Sequence, residues 1–171
     1  LALPFSLPIL SVESLLRYGE ALGIKPPKSE VAHVGVLPQY YGDQFGWPEM
    51  VATVAKIYHG LPPDERAKAA ILAGNYGEAG AIDFFGPRLG LPKAISGHQT
   101  YFFWGPREYT GEVLILLQYN RERIGSNCQS VEEAAVLAPP YAMAEEHYTI
   151  FICRGLKQPL KELWPRLKHW N

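Results

Sequence analysis

The run Glu112–Tyr119, EVLILLQY, constrains this chain more than any other stretch. Five consecutive apolar residues, Val113 to Leu117, do not fit a half-exposed strand, in which apolar and polar residues alternate. They fit a strand buried on both faces, as in a parallel sheet covered by helices. The flanking sequence supplies both kinds of element. Ala69–Ala73 and Ala94-Ile95 read as short apolar strands, and Val31–Val36 as another. His147–Cys153 (HYTIFIC) carries the β-branched and aromatic residues that strands favour. Val131–Leu137 fits helix or strand, and Pro139-Pro140 after it favours strand.

Helices fall between these runs. Ser11 caps one over Val12–Leu22, with Gly23 as its stop. Pro48 opens a second, in which Met50, Val51, Val54, Ile57 and Tyr58 recur at helical spacing until Gly60. Glu78–Phe85 reads as a third and Arg121–Cys128 as a short fourth. Leu160–His169 is a terminal helix interrupted at Pro165. Lys25–Lys28 and Gln39–Phe45 read as irregular, and Pro62–Arg66 as a turn or one helical turn. The alternation predicts an α/β fold, a three-layer α/β/α sandwich on a mostly parallel sheet. The last two strands have no clear helix between them and suit an antiparallel pair at one edge. One domain over residues 11–171 is expected, with residues 1–10 as an arm.

Charge and length exclude several classes. A formal net charge of −1 gives no electrostatic case for nucleic acid or an anionic membrane surface. No stretch approaches the roughly 18 apolar residues of a membrane span, so the chain as given is expected to be soluble. Leu1–Leu10 is apolar but short, holds two prolines and lacks a basic flank, so it is a poor signal peptide. Its abrupt apolar start without Met suggests a piece of a longer polypeptide; an edge strand or arm packed on the core is the other reading. The two cysteines, Cys128 and Cys153, cannot form a framework of the small-secreted type. One bridge between them is the alternative, but their spacing gives no support for it, and two free, mostly buried thiols are expected.

The stretch Ala69–Pro106 concentrates the chemistry. Gly74-Asn75-Tyr76-Gly77-Glu78-Ala79-Gly80 follows a strand and opens a helix, a setting that invites a phosphate cradle. Its spacing is G-x-x-G-x-x-G, no P-loop Lys follows, and Glu78 would repel a phosphate while suiting the helix dipole. A tight strand-to-helix turn with close packing is the better reading. Glu78 and Asp83 point about 140° apart on one helix and do not flank a common bond. Asp83, between Ile82 and Phe84, is expected to have a structural hydrogen-bond partner. Ser96-Gly97-His98 lacks the nucleophile-elbow spacing. His98, in a loop, is the most interesting titratable group. No histidine sits in a metal-binding pattern. If extended, Tyr101-Phe102-Phe103-Trp104 alternate faces. One face suits the core; the other suits stacking on a sugar or a membrane interface, with a fully packed aromatic core as the bland alternative.

Longer segments carry a resemblance. LPQYYGDQFGWPEMVATVAKIYHGLPPDERAKAAILAGNYGEAGAIDFFGPRLGLPKAISGHQTYFFWGPREYTGEV and FICRGLKQPLKELWPRLKHW resemble the C-terminal soluble region of bacterial membrane glycosyltransferases of family 39. That family is similar to the dolichyl-phosphate-mannose-protein mannosyltransferases and to the aminoarabinose transferase that modifies lipid A. The likeness covers nearly the whole chain, and NYGEAGAIDFFGPRLGLPKAISGH with WGPREYTGE is its most specific part. It implies a parent of GT-C architecture with many transmembrane helices and an extracytoplasmic (periplasmic) C-terminal domain. The parent would use a polyprenyl-phosphate-linked sugar, with a divalent metal as a candidate companion. Its catalytic acidic residue lies in an early loop between transmembrane helices, so no catalytic residue carries over to this chain. Leu1–Leu10 would follow the last transmembrane helix.

The expected role is accessory: recognition of an acceptor or glycan, or capping of the membrane active site, with no cofactor or metal bound by this domain itself. Expected partners are the transmembrane portion of the same polypeptide and a glycan, lipid-linked sugar or protein acceptor. Asn75, Tyr76, Glu78, His98, Tyr101 and Trp104 are the candidate binding residues. Two alternatives remain. An autonomous small hydrolase or nucleotide-binding enzyme would need a deep pocket joining Glu78, His98 and Ser96. A structural docking module would bury the aromatic cluster and leave an apolar patch near Leu1–Leu10.

Overall fold

The computed structural model describes residues 3–7, 9–24 and 37–170. The expected strand at Val31–Val36 and the loop at Lys25–Lys28 lie outside the described residues. The chain divides into two compact units, one of residues 1–45 with 140–145 and one of residues 46–139 with 146–171.

In the smaller unit, α1 spans Leu3–Ser6, α2 Val12–Ala21 and α3 Gln39–Gly42. Ser11 caps α2 by accepting from the Ser14 N–H, and Gly23 follows its end at φ +66°. Leu15, Leu37 and Tyr41 form its buried centre, with Phe5, Val12 and Phe45 against it. The turn α3 replaces the irregular segment expected there, because Pro38 supplies carbonyl acceptors to Tyr41 and Gly42. Leu3, Leu7 and Ile9 are exposed.

The larger unit holds the sheet. In chain order it contains α4 (Trp47–Gly60), α5 (Pro63–Arg66), β1 (Ala69–Ala73), α6 (Tyr76–Phe85), β2 (Ile95–Ser96) and α7 (Gln99–Phe103). It continues with β3 (Val113–Leu116), α8 (Arg121–Asn127), β4 (Cys128–Leu137), β5 (Tyr148–Leu156) and α9 (Leu160–Leu163). Among the described residues, five strands form one sheet in the order β2-β1-β3-β5-β4. β1 pairs parallel with β2 and β3; β5 runs antiparallel to β3 and to β4. The antiparallel edge is therefore present, and β5 lies between β3 and β4.

The period of two along a strand sorts the core onto two faces. Ala69, Ile71, Ala73, Val113, Ile115, Ile150 and Ile152 join Val51 and Val54 of α4 and Ala79 and Ile82 of α6. Ala70, Leu72, Leu114, Leu116, Phe151 and Cys153 join Ile124 of α8, Leu160 of α9 and Trp164. Register agrees, since Ile71 faces Ile115 and Ile115 faces Ile152. All four residues of β3 are buried, as the apolar run predicts. Each such fully buried aliphatic side chain is worth roughly 1.5–3 kcal/mol.

Two expectations are corrected. Cys128 and Cys153 are not free thiols: they form a disulfide with Cα atoms 5.8 Å apart. Antiparallel pairing of β4 with β5 sets Val131 opposite Cys153 and Cys128 opposite Leu156, which brings the two sulfurs within reach. The aromatic cluster is also not extended. Residues 99–103 form the short helix α7, entered through Gln99 at φ +48°. Helical spacing turns Phe102 onto Trp164, whose indole donates to the Phe102 carbonyl at 2.9 Å. Phe103 and Trp104 are left exposed.

Candidate ligand-binding cleft

The chain leaves β1 toward β2 on one side, and β3 lies on the other side of β1. The loops after β1 and β3 therefore diverge, which opens a crevice at the carboxyl ends of these two parallel strands. Open α/β sheets bind ligands at such a switch point.

The loop after β1 is held from inside. Asn75 caps α6: its Oδ1 accepts from the Glu78 N–H at 2.9 Å. Glu78 Oε2 accepts from the Gly74 N–H at 2.8 Å and from the Asn75 N–H at 3.2 Å. This is a reciprocal capping box. It occupies the Gly74, Asn75 and Glu78 N–H groups, three of the turn donors that a phosphate cradle would use. Gly74 packs directly on the end of β3, where an added Cβ would stand 2.9 Å from Gln118 Cβ and 3.0 Å from the Leu117 carbonyl oxygen. Asn75 Nδ2 donates to Gln118 Oε1 at 3.0 Å and ties the two loops together.

The C-terminal segment forms another wall. The His169 N–H donates to the Gly97 carbonyl, and the Gln99 N–H to the His169 carbonyl, both at 3.1 Å. The His169 ring stacks on His98 at 4.7 Å and 5°, and its Nε2 lies 2.9 Å from the Gly74 carbonyl oxygen. His98 Nδ1 accepts from the Tyr76 N–H at 3.2 Å. Burial lowers the His98 pKa; the Trp170 backbone opposes that shift and His169 adds to it.

A cavity of about 380 Å³ lies between these walls. Its lining includes Gly74, Gln118 and Asn120 from the strand ends and Arg123, Arg166 and Lys168 around them. Among the described residues, no carboxylate lines it. Arg123 and Arg166 are exposed and make no ion pair with a described carboxylate. A second cavity of about 140 Å³, lined by Leu72, Leu114, Leu116, Ile124, Leu160 and Leu163, shares Tyr119, Arg123, Arg166 and Leu167 with the first. Burial and the Glu78 charge push the Tyr119 phenol upward, so it stays neutral at physiological pH.

The residues singled out from sequence have different fates. Asn75 and His98 hold the two walls of the cleft. Glu78 is fully buried and acts on the loop from behind. Burial raises its pKa, and the Tyr148 hydroxyl faces the carboxylate without a hydrogen bond of good geometry. Tyr76 is exposed and leans on His98, with ring centroids 5.1 Å apart. Tyr101 meets exposed Trp104 edge-on at 4.5 Å. Burial raises the Tyr101 phenol to about 12. Asp83 has the structural partners expected of it, accepting from the Ala94 N–H at 2.8 Å and from the Tyr101 hydroxyl at 3.4 Å. Ser96 is fully buried, and its Oγ accepts from the His98 N–H.

Gln118, Arg123, Arg166, Lys168 and His169 escaped the sequence reading. Arg123 and Arg166 are far apart in sequence, and only the packing of α8 and the C-terminal segment on one sheet face joins them. The available signal was the switch-point rule applied to the end of EVLILLQY.

Among the described residues, no three His, Cys, Asp or Glu side chains gather to hold a metal ion. No described helix is long and apolar enough to cross a membrane. Compared with known proteins, the chain matches no family model, no curated sequence and no solved structure.

Proposed function

We propose that this chain is a ligand-recognition domain, the extracytoplasmic C-terminal part of a polyprenyl-phosphate-sugar-dependent membrane glycosyltransferase, and that it does not transfer sugar alone. The observation that carries the recognition role is the cationic cleft at the switch point of the sheet. It has polar and positive groups converging on one cavity, and among the described residues no carboxylate lines it. The parent family rests on the resemblance of NYGEAGAIDFFGPRLGLPKAISGH and WGPREYTGE. The Cys128–Cys153 disulfide supports an oxidising, extracytoplasmic compartment. Core clusters on both faces of the sheet support a three-layer arrangement for the larger unit. Exposed Phe103, Trp104 and Trp170 support contact with a glycan, a protein acceptor or the transmembrane portion of the same polypeptide.

The autonomous-enzyme reading loses ground because Glu78 and Ser96 have no exposed surface. The purely structural reading is met in one part and not in the other: Leu3, Leu7, Ile9 and Leu10 are exposed as it expects, but the aromatic cluster is not fully buried. Titrating the isotopically labelled chain with oligosaccharides and polyprenyl-phosphate sugars tests the proposal. Backbone signals of Gly74, Gln118, Asn120 and His169 are expected to shift. Unchanged signals at millimolar concentrations of every ligand would refute it.

A further inference from the structure

The two cavities of the larger unit share four lining residues, Tyr119, Arg123, Arg166 and Leu167, and differ in the rest of their linings. Beyond the shared arginines, one adds Gly74, Gln118, Asn120 and His169, and the other adds leucines and Ile124. Among the described residues Arg123 and Arg166 have no carboxylate partner, so their charge is uncompensated where a ligand would enter, whereas the Lys168 ammonium lies over the Phe102, Phe103 and Trp170 rings. A carboxylate ligand would bring one negative charge. A phosphate monoester brings about −1.5 to −2 and three acceptor oxygens, the better match to two guanidinium forks. The apolar cavity is also informative in size. Its volume of about 140 Å³ is that of a benzene-sized group, and its mouth is bordered by Tyr119, Arg123 and Arg166.

We infer that the cleft and the apolar cavity form one site for a phosphate monoester, with the phosphoryl group between Arg123 and Arg166 and a compact apolar substituent between β3, α8 and α9. This deepens the recognition reading and rests on the cleft being its ligand site. The inference is of binding without covalent change: the His169 ring on the cleft wall is held against the Gly74 carbonyl oxygen at 2.9 Å. The neutral Tyr119 phenol lies where the two linings meet and adds a hydrogen-bonding group without a competing negative charge. Two sources share this chemistry, the phosphorylated end of an isoprenoid lipid and a free small organophosphate.

Calorimetry on the full 171-residue chain with inorganic phosphate, phenyl phosphate, dimethylallyl phosphate, geranyl phosphate, benzyl alcohol and a neutral oligosaccharide separates the outcomes. Phenyl and dimethylallyl phosphates are expected to bind about 10- to 100-fold tighter than inorganic phosphate, from apolar burial. Benzyl alcohol is expected to bind weakly. Arg123→Ala and Arg166→Ala, both at exposed positions, should each weaken the phosphate esters about tenfold and leave circular dichroism unchanged. Geranyl phosphate binding at least as well as dimethylallyl phosphate identifies the lipid source; weaker binding identifies the free one. Equal affinity for inorganic and phenyl phosphate overturns the composite site. Binding of the oligosaccharide alone, unchanged by both Arg variants, overturns the phosphate inference and leaves the recognition role standing. Binding of none overturns both.

Discussion

At the scale of single residues, Glu78 and Gly97 do the most to shape the cleft without lining it. Glu78 caps the turn above Gly74 while wholly buried. Its folded pKa is raised by desolvation, so the folded state holds its proton more tightly than the unfolded chain does. That contribution to stability is full below the ordinary carboxylate value of 4.5 and is lost as pH rises through the raised folded value. Glu78→Gln keeps an acceptor for the Gly74 and Asn75 N–H groups and removes the titration. Urea midpoints measured between about pH 4 and 8 should therefore fall less with pH in the variant than in the parent. Glu78→Ala should lose about 1–3 kcal/mol at acid pH, because two buried N–H groups lose their acceptor. Gly97 matters for a steric reason. A Cβ there would overlap the Leu167 carbonyl, which belongs to the segment paired with residues 97–99. Gly97→Ala should cost about 1–3 kcal/mol in the same assay and shift the amide signals of Leu167 to His169.

At the scale of elements, the pairing of β4 with β5 and the bridge across it define the far side of the apolar cavity. Cys128 lines that cavity, and Cys153 lies in the same core cluster. The sequence separation is 25, so closing that loop in the unfolded chain is worth about 3.5 kcal/mol in the chain-entropy account. The double substitution of Cys128 and Cys153 by Ser should lower the urea-unfolding free energy by about that amount. Reductant should destabilise the parent similarly and leave the double variant unaffected. The element boundaries themselves were largely legible. β1 coincides with the predicted Ala69–Ala73, and α4 ends at the predicted Gly60. Both follow from local signals, an apolar run bounded by glycine and a 3.6-residue stripe. The helix α6 begins at Tyr76, two residues before the predicted Glu78, because Asn75 is its cap. The motif Asn75-x-x-Glu78 is a capping box in plain sight, obscured by the glycines around it.

At the scale of the whole molecule, β3 is the strand on which the larger unit depends. Its odd residues face one core cluster and its even residues the other, and both its neighbours pair with it along its length. Ile115→Ala should cost about 2–5 kcal/mol, whereas Val136→Ala, at a residue 74% exposed, should change stability by less than about 1 kcal/mol. Chemical denaturation of the two variants side by side checks the contrast. The sequence alone determined the local elements and the two-sided burial of β3, because hydrophobic period, caps and breakers act over a few residues. It also pointed to the turn after β1 as a place of packing rather than of phosphate binding. Only the tertiary structure decided the rest. The place of β5 between β3 and β4 joins the cysteines, and closure of the interior around Glu78 turns a candidate surface carboxylate into a buried cap. The meeting of Arg123 with Arg166 and Lys168 is likewise a matter of chain path. These outcomes depend on register and packing between residues distant in sequence, which no local pattern encodes.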